Sequence, residues 1–158
     1  MFNQAQREFH YCAKELSQKL LVKTFTKEDI KLIEHLIFTQ SWRGSVDAVA
    51  KHLLDNCLLV HPDQILRIVN RYSDDRNICL NRSATLYQLG YKEKNNQGIL
   101  FRECLKHAHS DEFFIKKAIG WSLREYGKVA PNEVISYDQQ NDTTLKPLSK
   151  KEALKRLS

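Results

Sequence analysis

Glycine and proline are scarce in this chain, with 5 Gly and 3 Pro among 158 residues. Sandwiches and barrels of short strands need frequent turn residues, so their shortage argues for long helices and an all-α protein. The four cysteines, Cys12, Cys57, Cys79 and Cys104, contain no CxxC pair, which leaves zinc ribbons and thioredoxin-type chemistry unsupported. Each lies in a predicted helix, and buried reduced thiols are the expected state, which implies a cytoplasmic protein. From Asn3 onward the start of the chain is polar and lacks the apolar stretch of a secretion signal. No apolar run is long enough to cross a bilayer, so no membrane partner is expected. Walker loop, Rossmann glycine fingerprint, HExxH and GxSxG are all missing, and neither a metal nor a small-molecule cofactor is expected. The histidines are scattered. His107 and His109 are two apart, so on a helix they diverge, and Cys–His nucleophilic chemistry has no local signature. Negative charge is in deficit too: 19 acids face 25 Lys and Arg, a formal charge of +6, which favours an acidic partner such as nucleic acid.

What is present is patterned for helices. A hydrophobic content of 42% in a chain of this size supports a single domain, residues 1–158, with its own core. Residues 2–20 read as an amphipathic helix carrying Phe9, Cys12, Ala13 and Leu16 on one side. Thr26-Lys-Glu-Asp resembles a helix cap, and Ile30, Ile33, Leu36 and Ile37 carry the next helix to about Thr39. After a break at residues 41–47, a third helix runs to about Leu59 with Leu53 and Cys57 inward, and Pro62 opens a fourth that reaches Tyr72. Asn77–Tyr91 is apolar nearly all round and should be a central helix. Arg82 lies in its middle; such a guanidinium must meet a protein carboxylate, the commoner answer, or reach an anionic ligand. Asn96–Ala108 forms another helix, Pro131–Tyr137 begins a shorter one, residues 139–144 form a polar loop, and Leu148–Leu157 is a final basic helix. Paired helices with short links suggest an α-solenoid or layered bundle of HEAT type.

The most informative stretch is 111–129. Ser110 or Asp111 is placed to cap it, and Pro131 stops it. Ile115, Ala118, Ile119, Ser122 and Tyr126 form its core stripe, while Lys117, Trp121, Arg124 and Lys128 gather on nearly the opposite face. An indole among three cations suits a surface that meets phosphates and sugars. Equally, Trp121 packs on a neighbouring helix while the cations stand in solvent.

The run Phe113-Phe-Ile-Lys-Lys-Ala-Ile-Gly-Trp-Ser-Leu-Arg-Glu-Tyr126 resembles the signature helix of the AlkD-type DNA alkylation repair proteins. Ser41-Trp42 through Ser45-Val46-Asp47 resembles their Ser-Trp-Trp-Asp-Ser/Thr-Val-Asp turn. Asn81-Arg82-Ser-Ala, Gln88-Leu-Gly-Tyr91-Lys92 and Pro147-Leu-Ser-Lys-Lys-Glu-Ala match in the same order. The resemblance implies a HEAT-like solenoid that cradles duplex DNA on a basic concave face, acting as a monomer without a cofactor. It also implies hydrolytic release of cationic N3- and N7-alkylpurines without flipping the lesion into a pocket. Residue by residue, Asp47 matches the carboxylate that faces the sugar and positions water. Trp121 matches one of two tryptophans lining the deoxyribose, and Arg82 an arginine that holds a backbone phosphate. Trp42, Arg43, Lys117, Arg124 and Lys128 complete the expected DNA contacts. Two positions depart from the family: Arg43 stands where the second lesion-side tryptophan belongs, and Gly44 replaces the following acid. The family also has more helices before the point where this chain begins. Three readings follow: a glycosylase using Asp47 and Trp121, a relative that binds DNA through Arg43, Arg82, Lys117 and Arg124 without excising, and a scaffold for an acidic protein.

Overall fold

The computed structural model of the chain describes residues 25–39, 47 and 50–157. Among these residues there are eight α-helices and no strand, so the fold is all-α. The helix expected over residues 2–20 lies outside the described part, as do Cys12, Trp42, Arg43 and Gly44.

Helix α1 spans Asp29–Thr39. Asp29 reaches back to accept the Thr26 backbone N–H at 2.6 Å, the acidic half of the cap expected from Thr26-Lys-Glu-Asp. A π-helical turn at Ala50–Leu54 leads directly into α2, Asp55–Val60, and the short 3₁₀ turn Pro62–Gln64 leads into α3, Ile65–Asp74. Helix α4, Ile78–Leu86, starts where expected because the Asn77 side chain accepts the Cys79 N–H at 2.8 Å.

It stops five residues short of the expected Tyr91. The chain passes through a turn instead, and Gln88 ties that turn to the next helix: its Oε1 accepts the Asn96 N–H at 2.6 Å. Tyr91 still joins the core, and its hydroxyl donates to the Asp55 carbonyl at 2.7 Å. Helix α5, Gln97–Lys106, is capped by Asn96, whose Oδ1 accepts from Ile99 N at 3.1 Å.

Helix α6, Phe113–Gly127, begins after Glu112 without a side-chain cap. Asp111, expected to cap it, pairs with Lys146 at 3.0 Å, and that lysine holds its carboxyl below the ordinary carboxylate range. Helix α7 runs over Pro131–Gln140, longer than expected, so the polar residues 139–140 are helical. Asn141 ends it by donating its side-chain N–H to the Tyr137 carbonyl at 2.8 Å. Helix α8, Pro147–Leu154, ends before the expected Leu157, with Arg156 at a φ of 82° in a left-handed turn.

Two cores result. One gathers α1 to α4 around Ile33, Leu53, Leu58, Ile68, Tyr72 and Leu80. The other gathers α5 to α8 around Leu100, Cys104, Ile119, Leu123 and Val134. Each leucine or isoleucine fully withdrawn from water contributes roughly 1.5–3 kcal/mol. Between them lies a small seam of Ala50, Leu86 and Ala118, with Leu89 and Trp121 packed against it. Leu86 of α4 meets Ala118 of α6 and Ala50 of the π-helical turn there.

Candidate nucleic-acid interface at the seam

Arg82 is the centre of the seam. Projecting from α4, it is only 4% exposed, so its charge needs partners inside the protein. Its Nε donates to Asp47 Oδ1 at 2.5 Å and its Nη2 to Asp47 Oδ2 at 2.8 Å, a bidentate pair across 35 positions of sequence. Its Nη1 donates to the Phe114 carbonyl at the start of α6. The guanidinium carbon also stands 5.5 Å from both the Phe114 and the Trp121 ring centroids. One side chain thereby joins Asp47, the first turn of α6 and its indole.

Asp47 and Trp121 therefore belong to one cluster. Asp47 remains 23% exposed at its side chain, so the carboxylate lies at the protein surface with its buried side held by Arg82. Each carboxylate oxygen has a second lone pair that the guanidinium does not use. Arg82, expected to reach a phosphate, has a protein carboxylate as its partner, which is the other answer open to a guanidinium inside an apolar helix.

The shared face expected for Lys117, Trp121, Arg124 and Lys128 divides in two. Phe114, Ala118 and Trp121 are spaced i, i+4, i+7 and turn toward α4, whereas Lys117, Gly120 and Arg124 turn toward α8. There Glu152 receives both cations: Lys117 Nζ donates to Oε1 at 2.9 Å and Arg124 Nη1 to Oε2 at 3.3 Å. The Lys117 hydrogen bond, with burial opposing it, holds the Glu152 carboxyl below its ordinary range. A Cβ built at Gly120 would lie 2.4 Å from Glu152 Cβ and 2.9 Å from the Ser149 carbonyl. Glycine is what admits α8 to this contact. Lys128 pairs with Glu125 one turn earlier at 2.7 Å and is largely exposed.

Other chemistry finds less support. Ser73 Oγ lies 2.7 Å from His107 Nε2, and Glu103 lies 3.8 Å from that same nitrogen. A relay needs the hydroxyl and the acid on opposite ring nitrogens, so these three do not form one. Burial pushes the Cys57 thiol up to about 11 and Cys104 up to about 12, which makes both poor nucleophiles. Among the described residues no group of three or more His, Cys, Asp or Glu is placed to hold a metal ion. No described helix is long and apolar enough to cross a membrane.

Sequence reasoning missed Glu152 and Phe114. Glu152 was recoverable as the lone acid in Lys150-Lys-Glu-Ala-Leu-Lys; Phe114 carries no local signal, since its role depends on which helix faces it.

Among proteins of curated function none matches this sequence. Among solved structures, a predicted DNA alkylation repair enzyme from Enterococcus faecalis is similar, with a TM-score of 0.87 and 32% identity over 97% of this chain and 70% of that one. The family model for DNA alkylation repair enzymes matches residues 1–157. With its all-α fold and the matched helix bearing Trp121, the chain belongs to the DNA alkylation repair enzyme family.

Proposed function

We propose that the protein hydrolyses the N-glycosidic bond of cationic N3- and N7-alkylpurines in double-stranded DNA. The observation that carries this reading is the meeting of Asp47 and Trp121 on Arg82 at the surface of the seam. A purine alkylated at N3 or N7 already carries the positive charge that makes it a leaving group. When its bond to C1′ breaks, the electron pair neutralises the base and leaves an oxocarbenium-like sugar. An anion and an aromatic face both favour such a cation, and neither has to donate a proton to the base. Water then bonds to C1′ and gives up its proton to the Asp47 carboxylate or to solvent. The products are free alkylpurine and an abasic site.

In this scheme Arg82 is a positioning residue. Its fork fixes both carboxylate oxygens, so the free lone pairs of Asp47 keep one direction. Trp121 is held by the same guanidinium, which ties the indole to the acid.

A second reading rests on Arg43, which stands where the family's second lesion-side tryptophan belongs. A cation beside a developing sugar cation opposes catalysis but grips a phosphate well, so this reading is a DNA-binding relative that does not excise. Incubation with duplex DNA containing 7-methylguanine separates the two. Release of free base, reduced at least about 100-fold by Asp47→Asn in a protein of unchanged helicity, supports the glycosylase. Salt-sensitive binding without release supports the relative. Failure to bind any duplex at low salt leaves a scaffold for an acidic protein.

A further inference from the structure

At the far end of α6 from Phe114, a cleft of about 550 Å³ opens between that helix and the turn after α8. Arg124 and Lys128 line it on the α6 side, and Lys155 and Arg156 on the other. Against these four cations stands one lining carboxylate, Glu125, which Lys128 already engages. Arg124 is shared with Glu152, and Lys155 also adds to the field that favours the Glu152 anion. Arg156 has no hydrogen bond or ion pair among the described residues. Among the described residues the cleft is therefore electropositive after its internal pairs are counted.

The cleft is also built. Leu157 folds back onto α6, where a Cβ added at Gly127 would meet its Cδ1 at 2.8 Å. To bring Leu157 there the chain turns at Arg156, whose φ of 82° is a conformation that side chains other than glycine rarely adopt. An apolar anchor and a left-handed turn hold Lys155 and Arg156 across from Arg124 and Lys128. Solvated lysines at a frayed helix end would need neither.

We infer that this cleft receives a backbone phosphate of the duplex, at a point separate from the Asp47–Trp121 cluster, with Lys155 and Arg156 as phosphate ligands. The inference rests on the DNA-binding reading above, in either its catalytic or non-catalytic form. Lys128, the residue that ends α6, lies seven positions after Trp121, a rise of about 10 Å along the helix axis. That distance spans about two or three phosphates of one strand. The cleft fixes register along the backbone and reads no base.

The test uses the full chain and a duplex carrying a single lesion, with binding measured against salt. Lys155→Gln/Arg156→Gln alters only exposed side chains, and its helicity is compared with the parent. The expected result is binding weakened on the order of tenfold, with the slope of log K against log salt shallower by about two. Single uncharged methylphosphonate linkages are then moved along each strand. Within about four nucleotides of the lesion, one position should weaken the parent protein and leave the double variant unaffected. Unchanged affinity and slope in the variant, or no such position, overturns the inference while leaving DNA binding intact. A parent that binds no duplex overturns the reading beneath it.

Discussion

Asp55 shows how far one buried carboxyl departs from its free behaviour. It is 7% exposed at the start of α2; one oxygen accepts the Asn56 N–H at 2.6 Å, and its main-chain carbonyl takes the Tyr91 hydroxyl. Burial outweighs that hydrogen bond and the attraction of Lys51, and pushes the carboxyl up to about 7. The folded protein therefore binds a proton that the unfolded chain has released, and its stability falls as pH rises from about 4 toward 7. Asp55→Asn removes the titration. At pH 8 the variant should be more stable than the parent, on the order of 2 kcal/mol, with the gap closing near pH 4; chemical denaturation at both pH values checks it. At this same scale the sequence was partly legible. That Arg82 needed a partner follows from a guanidinium in an apolar helix. Which partner it finds does not, because Asp47 is brought to it only by the packing of the helices. The indole was harder still: Trp121 lies at the edge between two stripes of α6, and a helical wheel cannot say which neighbour claims an edge residue.

For the helices, starts were readable and ends were not. Asn77 and Asn96 cap by bonds within three residues of themselves, and proline marks the first turns of α7 and α8. The ends depend on distant partners: Gln88 binds residue 96 to finish α4, and Leu157 leaves α8 to reach Gly127. The α6–α8 contact carries a sharper consequence. Gly120 faces the Glu152 side chain and the Ser149 carbonyl, and that carbonyl is main chain. Gly120→Ala gains helix propensity in isolation but forces the two helices apart, and it should destabilise the protein by about 2 kcal/mol. A thermal midpoint lowered by several degrees would agree with this. A raised midpoint would mean that the helices do not meet so closely.

Across the whole molecule, the excess of +6 was visible in the composition, but its distribution was not. Lys117 and Arg124 share Glu152, whereas Arg156 is unengaged among the described residues and Lys128 is more than half exposed. Cations that already neutralise a carboxylate release fewer counterions on meeting DNA. For the duplex binding proposed above, Lys117→Met should therefore reduce the salt slope by well under one, while Arg156→Gln reduces it by about one. Equal effects from the two would show that Glu152 lets go of its lysine when DNA binds.

The guanidinium of Arg82 also sets an order of events in synthesis. Its partners come from positions 47, 114 and 121, on both sides of the seam, so the first core has no complete site of its own. A nascent polypeptide must clear the ribosome beyond α6 before acid and indole can meet. Until then Arg82 on the emerging α1–α4 half lacks its carbonyl and aromatic partners. If the cluster acts as proposed above, chains arrested before residue 113 lack the indole and the Phe114 carbonyl, and should release no alkylpurine from DNA.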